Sequence, residues 1–574
     1  MADKNKQAKK WVDKQLAYMS LREKIGQTVQ ETVTRLPVKS FTPEEIAKYL
    51  TQYPIGSLFV RSAIVKSARN EVFKGFGSTD AEYRDNLQIF QEASKLPLLV
   101  SGDLESGAGA AVQNLTRFPC NMSVGAANDE ELAYKMGKFT GIQSKAAGFS
   151  WNFAPVCDLA INWLNPAVGT RAIGDSPVNV SKLAVALMKG MQHEGLGATA
   201  KHFPGDGVDF RDQHICTTVN NLSEEEWWKK SGLVFQEMID AGVCGIMTGH
   251  IALPWLEPID TKRKKHRPAT VSKRINTDLL RDKMGFEGVV ISDALDMAAY
   301  VNWDEYENRM IESFNAGIDV MLWPGSQYFD LMEKAVDNGR VSAERIEESA
   351  RRVLEMKCRL GLINLDLSET ESPEIELLDS DTLLIHKKEA EQTSCEIGAR
   401  SVTLVRNRNN VLPLKQSSIK KVLIAKLNKA TEDCVFEEMD YFISKLELRK
   451  LDLEIIDYFE PINIFNILED QEGKRWDAFL VPFMMPMHGL VNTVRPIGNT
   501  AKGLWALQQI KTIEPIYLSM GTPFLLQDIP FADTLVNAYS NSTATIDMLD
   551  KALFGEIPFT SFSPVNTGGW EENG

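Results

Sequence analysis

Up to about residue 360 the chain alternates short apolar runs with amphipathic stretches, and this alternation restricts its fold more than any other feature. The runs are IGSLFV (55–60), PLLVSGD (97–103), FSWNFAPV (149–156), GATAKHF (197–203), GVCGIMTGH (242–250), EGVVISD (287–293) and GIDVMLW (317–323). Between them lie stretches such as DEELAYKMGKFTGIQSKAAG and SEEEWWKKSGLVFQEMIDAG, each closed by a glycine that suits the position just past a helix. Strands separated by helices pair in parallel, so the pattern predicts a parallel β/α architecture. Seven strands can be counted, and no eighth run stands out.

The run RVSAERIEESARRVLEMKCRLGLINLD predicts a long helix with a basic last turn. After it, DLSETESPEIELLDSDT is acidic, lacks periodicity and contains Pro373, as a linker would. A second α/β region follows, with strands predicted at SVTLVRN (401–407), KKVLIAKL (420–427), DAFLVPF (477–483) and PIYLSM (515–520). At 574 residues the chain is too long for one core, which agrees with this division.

Charge and cysteine usage exclude several function classes. A net charge of −15 argues against a nucleic-acid or anionic-membrane partner. The seven cysteines are scattered, odd in number and never in a C-x-x-C pair, so neither a disulfide framework nor a zinc site is expected. The N-terminal MADKNKQAKKWVDKQ has no apolar core of a signal peptide, and no apolar run reaches the ~18 residues of a membrane span. The expectation is a soluble, cytoplasmic protein. The basic KRKKHR (262–267) reads as a solvated loop rather than a phosphate site.

Chemistry enters at the ends of the predicted strands. Asp103, Lys201 with His202, His250 and Asp293 all stand at or just past the C-terminal end of an apolar run, the face on which β/α barrels build active sites. From Lys201 the chain continues as KHFPGDGVDFRDQH, ending at His214. A metal site from His202, His214 and an aspartate matches no strong ligand spacing. Neither a G-x-S-x-G elbow nor a Walker-type glycine loop is present. A structural turn explains the proline and glycines but not Asp212 followed two residues later by His214. Glycosyl transfer accounts for more of these residues. A retaining glycosidase needs a carboxylate nucleophile and an acid/base beside the leaving oxygen. Asp293 suits the first role. A histidine oriented by an aspartate suits the second, because its proton exchanges near neutral pH. Lys201, His202, Asp103 and Arg171 would supply charged hydrogen bonds to sugar hydroxyls.

These residues carry a resemblance. KHFPGDGVDFRDQH and RPATVSKRINTDLLRDKMGFEGVVISD, followed by ALDM, resemble glycoside hydrolase family 3, in its β-N-acetylglucosaminidase branch. FPCNMSVGAANDEELAYKMG, NFAPVCDLAIN and RAIGDSP are similar to the same barrel in order, and SCEIGARSVTLVRNRNNVLPL through NAYSNSTATIDMLDKALFGEIP resembles the family's C-terminal domain. The likeness spans nearly the whole chain, more weakly between about 415 and 515. It implies an α/β fold: a TIM-like (β/α)8 barrel over 1–362, a linker and connecting helix over 363–395, and a smaller α/β sandwich domain over 396–574. It implies Asp293 as nucleophile, His214 as acid/base with Asp212 as its partner, and Asp103, Arg171, Lys201 and His202 as glycone-binding residues. The dyad is peculiar to this branch; the family's β-glucosidases are expected to use a glutamate from the second domain. No cofactor and no metal are implied, and the partner is a carbohydrate rather than a nucleic acid or membrane.

Two departures alter the expected substrate. Asp206 stands where the branch has a histidine in its PGHG turn. The usual D-x-E-G-G-R-V-x-R appears as DLESGAGAA, so Ala108 and Ala111 replace two arginines. Losing those cations removes the expected preference for a muramic acid carboxylate. The resulting expectation is a retaining exo-β-N-acetylglucosaminidase acting in peptidoglycan or chito-oligosaccharide turnover. The alternatives are a phosphorylase, a β-glucosidase and a weakly active sugar-binding protein; the oligomeric state is left open.

Overall fold

A computed structural model describes residues 2–38, 41–60, 77–365, 380–427, 437–457, 476–485, 487, 489–490 and 494–568. The chain divides into two compact units. The first comprises Met1–Arg117, Ala133–Asp158 and Ala184–Ala390; the second comprises Phe118–Leu132, Leu159–Leu183 and Glu391–Gly574. Two short segments of the barrel-encoding sequence therefore belong to the C-terminal unit. Most of the acidic stretch predicted as a linker, 366–379, lies outside the described residues. No helix among the described residues is long and apolar enough to cross a membrane.

The first unit is built on eight parallel strands: β1 (Val29–Thr32), β2 (Ser57–Phe59), β3 (Leu99–Gly102), β4 (Trp151–Asn152), β5 (Gly197–Phe203), β6 (Gly245–Thr248), β7 (Val289–Ser292) and β8 (Met321–Leu322). Their order is β8-β1-β2-β3-β4-β5-β6-β7, and a parallel bridge between Ile291 and Val320 brings the two ends together into a nearly closed barrel. All seven strands read from the sequence are present. The eighth is β1, whose sequence VQET hides it: all four residues are buried, but three are polar. Two of them find a partner inside the fold. The Gln30 amide donates to the Ser101 hydroxyl, and Glu31 Oε1 accepts the Gly325 N–H at 2.9 Å.

Large side chains fill the barrel. Trp323 meets Phe59 edge-on with ring centroids 5.2 Å apart, Phe59 stacks on Phe153 at 5.7 Å, and Phe153 meets Trp151 edge-on at 5.2 Å. The Trp151 indole N–H donates to the Thr199 hydroxyl at 2.7 Å, so even its polar atom is used within the core. A barrel filled in this way is a packed core, and chemistry is left to its C-terminal rim.

The predicted helices form, with one change. SEEEWWKKSGLVFQEMIDAG makes two helices, Glu224–Lys229 and Ser231–Asp240, because Lys230 leaves helical geometry (φ −119°, ψ −101°) between them. The first opens with a capping box between Ser223 and Glu226. The helix Ala343–Arg359 has the basic last turn foreseen, but Lys357 within it is fully buried, with Nζ 2.6 Å from Gln27 Oε1. The basic loop is also tied down. Arg263 pairs with Asp260 and Asp304, Arg267 with Glu257, Asp260 and Glu312, and both guanidiniums lie over the Trp303 ring.

The second unit carries a six-stranded sheet of β9 (Thr403–Asn407), β10 (Lys421–Lys426), β11 (Asp452–Asp457), β12 (Ala478–Phe483), β13 (Pro515–Ser519) and β14 (Thr534–Asn537). The order is β9-β14-β13-β12-β10-β11, parallel except for β9 against β14. The four strands predicted here are present. β11 and β14 were missed: one alternates acidic with apolar residues at a sheet edge, and the other is only four residues long. One core of this unit joins Phe479, Val481, Tyr517 and Leu535 to Met122, Ala126, Val168 and Ala172 from the two earlier segments.

Candidate active site

Near its end strand β5 carries two residues that face different partners. Lys201 is 2% exposed, and its ammonium lies 2.9 Å from Asp103 Oδ1 and 2.7 Å from Glu105 Oε1. Asp103 follows β3 directly, so the ends of two strands separated by β4 meet through this cation. A buried ammonium between two carboxylates is compensated and held in one orientation. His202 turns the other way. Its Nδ1 lies 2.6 Å from Asp158 Oδ2, and its backbone N–H donates to Asp158 Oδ1 at 3.1 Å. The same Oδ1 accepts the Asp206 N–H at 2.7 Å. Asp158 is therefore the hub that fixes the start of the loop. The Lys201–His202 and Phe203–Pro204 peptide bonds are both cis.

Asp293 follows β7. Its backbone N–H donates to Thr248 O at 2.9 Å, continuing the ladder with β6, and its Oδ1 accepts the Ala294 N–H at 2.7 Å. Its Oδ2 lies 4.0 Å from His202 Nε2. Burial pushes its carboxyl upward, but His202, His250 and His214 together with the Ala294 N–H outweigh this and hold it below the ordinary carboxylate range. A carboxylate that stays ionised at a fixed strand end is suited to nucleophilic attack.

His250, just past β6, is fully buried; its ring stacks on Tyr300 and its Nε2 donates to Ala294 O at 2.9 Å. Burial pushes its pKa down against the pull of Asp293, and its ring fixes the Ala294 carbonyl in the turn after Asp293.

The remaining pair sits in the long loop after β5. His214 Nδ1 lies 2.6 Å from Asp212 Oδ1, while Asp212 is fully buried and the histidine side chain is 34% exposed. A carboxylate accepting from Nδ1 sets the neutral ring in the tautomer with its lone pair on Nε2. The His214 carbonyl accepts the Ala298 N–H at 3.0 Å, which ties this loop to the one that carries Asp293.

The fold thus gathers Asp103, Lys201, His202, Asp212, His214 and Asp293 on one unit's rim. Arg171 belongs to the second unit, where it closes the turn Gly169–Arg171 and donates to Ala167 O at 2.9 Å. Glu105 and Asp158 were not singled out from the sequence. Their only signal is an acidic residue shortly after a strand end, in DLES and NFAPVCD. Ala108 and Ala111 are both fully buried, with the Ala111 carbonyl accepting from the Tyr83 hydroxyl at 3.2 Å; their methyls pack into the fold. Among the described residues no cluster of histidine, cysteine and acidic side chains could hold a metal ion.

The barrel fold and the family match together give the class: a glycoside hydrolase. The family described as "Glycosyl hydrolase family 3 N terminal domain" matches residues 20–356, and the chain belongs to glycosyl hydrolase family 3. It is similar to a beta-N-acetylglucosaminidase/beta-glucosidase of Cellulomonas fimi, 29% identical over 98% of this chain and 96% of that protein. Beta-hexosaminidase A of Pseudoalteromonas piscicida is 28% identical over 66% of this chain and 63% of its own length. Among solved structures, the beta-glucoside phosphorylase BglX superposes with a TM-score of 0.82 at 26% identity, covering 98% of this chain and 96% of that one. A family 3 beta-N-acetylglucosaminidase from Paenibacillus sp. str. FPU-7 superposes with a TM-score of 0.79 at 26% identity, covering 96% and 99%.

Proposed function

We propose that the protein is a retaining exo-β-N-acetylglucosaminidase that releases terminal β-linked N-acetylglucosamine from chito-oligosaccharides or peptidoglycan fragments. The observation that carries this reading is the 2.6 Å contact between Asp212 and His214, on a loop tied to that of Asp293. Asp293 attacks the anomeric carbon while His214, protonated, gives its Nε2 proton to the leaving oxygen. The glycosidic bond breaks and a glycosyl ester on Asp293 forms. Neutral His214 then takes a proton from water, which attacks the ester and frees both the sugar and Asp293 with net retention. Asp103, Lys201 and His202 bind the glycone hydroxyls. Six described cysteines are free, which supports a reducing, cytoplasmic setting.

Phosphorolysis is the second reading, favoured by the likeness to BglX. A histidine acid/base adds no negative charge to repel phosphate, but Asp206 is buried in the same loop, with Oδ1 accepting the Gly207 N–H at 2.7 Å. Like charges a few Å apart in a partly desolvated site cost on the order of a kcal/mol or more, so water is the favoured acceptor. The test is release of p-nitrophenol from the β-N-acetylglucosaminide and the β-glucoside, each with and without phosphate. Preference for the glucoside would overturn the first reading, and N-acetylglucosamine 1-phosphate as the main product at millimolar phosphate would establish the second.

A further inference from the structure

The loop that carries the dyad has its polarity inside out. Asp209, Asp212 and Gln213 are buried, whereas Phe210 is 61% exposed and Ile215 is 45% exposed. In a loop shaped only by solvation the acids would point outward and the phenyl ring inward. Each buried polar group has an assigned task. Asp209 accepts from Arg211 Nε and Nη2, the latter at 2.6 Å, and from the backbone N–H of Arg211 and Val219 at 3.0 and 2.8 Å. Asp212 holds His214, and Gln213 Oε1 accepts the His250 N–H at 2.8 Å.

The clamp between Asp209 and Arg211 spans Phe210, and the Arg211 guanidinium lies 5.8 Å from the phenyl centroid. Three buried anchors therefore hold the backbone on both sides of an outward aromatic ring. Phe210 and Ile215 flank His214 in the chain. If His214 donates the proton to the departing oxygen, its loop borders the departing group and not the sugar held by Lys201 and Asp103. Pyranose rings present an apolar face of C–H bonds, which stacks favourably on aromatic side chains.

We propose that Phe210 is the platform for the sugar on the leaving-group side of the bond that is cleaved, with Ile215 at its edge; this rests on the role of His214 proposed above. The platform selects for a carbohydrate aglycone by its apolar face rather than by charge, which agrees with the burial of Ala108 and Ala111.

The experiment compares Phe210→Ala and Phe210→Trp with the unmodified chain on two substrates sharing a glycone: N,N′-diacetylchitobiose and methyl β-N-acetylglucosaminide. The readout is the ratio of kcat/KM for the disaccharide to that for the methyl glycoside. Phe210→Ala should lower the ratio about tenfold, mainly through the disaccharide KM, and Phe210→Trp should restore it. An unchanged ratio, or a loss shared equally by the tryptophan variant, overturns the proposal. The same comparison is made with cellobiose and methyl β-glucoside. Turnover of the glucose pair alone overturns the glycone assignment while still reading Phe210. Turnover of neither pair overturns the proposed reaction and the platform with it.

Discussion

Asp212 holds His214 twice through one oxygen: Oδ1 lies 2.6 Å from the imidazole Nδ1 and accepts the histidine's own backbone N–H at 2.9 Å. The second bond fixes the backbone from which the ring hangs, so the aspartate sets both the tautomer and the position of the imidazole. His214→Ala should lower kcat for chitobiose by about 10²- to 10⁴-fold, the usual worth of a positioned proton donor, and affect nitrophenyl glycosides far less. Asp212→Asn keeps an accepting oxygen and loses the charge, so its loss should be smaller and follow the same dependence on leaving group. Equal losses on both substrates would assign His214 to binding.

Asp293→Asn should retain the fold and lose all but about a few per cent of activity, because a neutral amide cannot form the glycosyl ester. Mass spectrometry of enzyme inactivated by a slow-hydrolysing fluorosugar should place the label on the peptide containing Asp293. A label elsewhere would remove it from the mechanism.

Ala108 and Ala111 bring no cation to the rim. The kcat/KM values for N-acetylglucosaminyl-muramic acid and for chitobiose should agree within about threefold, since an exposed carboxylate without a paired cation gains little. A strong preference for the muramic disaccharide would show that another basic residue meets its carboxylate.

Burial pushes the Lys357 ammonium down to about 7 from its ordinary 10.5. Between those values the unfolded chain binds the extra proton, so stability should rise as pH rises from about 7 to 10.5. Below pH 7 the full cost is present, on the order of 5 kcal/mol before the Gln27 contact is counted. Lys357→Met should therefore raise Tm at pH 7, and the advantage should shrink toward pH 10. A variant that melts lower at pH 7 would show that the Gln27 contact outweighs the burial of charge.

Glu31 behaves in the opposite sense. Burial raises its carboxyl to about 7 from 4.5, against the opposing pull of the Gly325 N–H and Arg35. The folded chain then binds the extra proton, and stability should fall as pH rises from about 4.5 to 7. Glu31→Gln can still accept from Gly325, and thermal melts across this range should show a flatter profile than the parent. With Lys357 acting above pH 7, the parent should show a stability trough near neutrality.

Much of the site was legible because barrel chemistry collects at strand ends, where a polar letter after an apolar run stands out. Asp103, Lys201, His202 and Asp293 were visible in that way, and Asp212 and His214 by their spacing. Asp158 and Glu105 were not, because each acts on a side chain from another strand and no local spacing records that meeting. β1 was hidden for a related reason: Gln30 and Glu31 look solvated in the sequence, but their partners lie at residues 101 and 325. Helices and strands were readable wherever the period belonged to one segment.

The interleaving of the two units sets an order of events during synthesis. Phe118–Leu132 and Leu159–Leu183 emerge from the ribosome more than 200 residues before the strands whose core they complete. Until β9–β14 are made, Met122, Ala126, Val168 and Ala172 have no finished sheet of their own to join. These segments thus create long-range contacts that slow folding and leave apolar surface waiting for a partner. The chain therefore has no cut point that yields both units intact: residues 391–574 expressed alone lack part of their own core, and residues 1–390 carry the missing pieces with nothing to cover them.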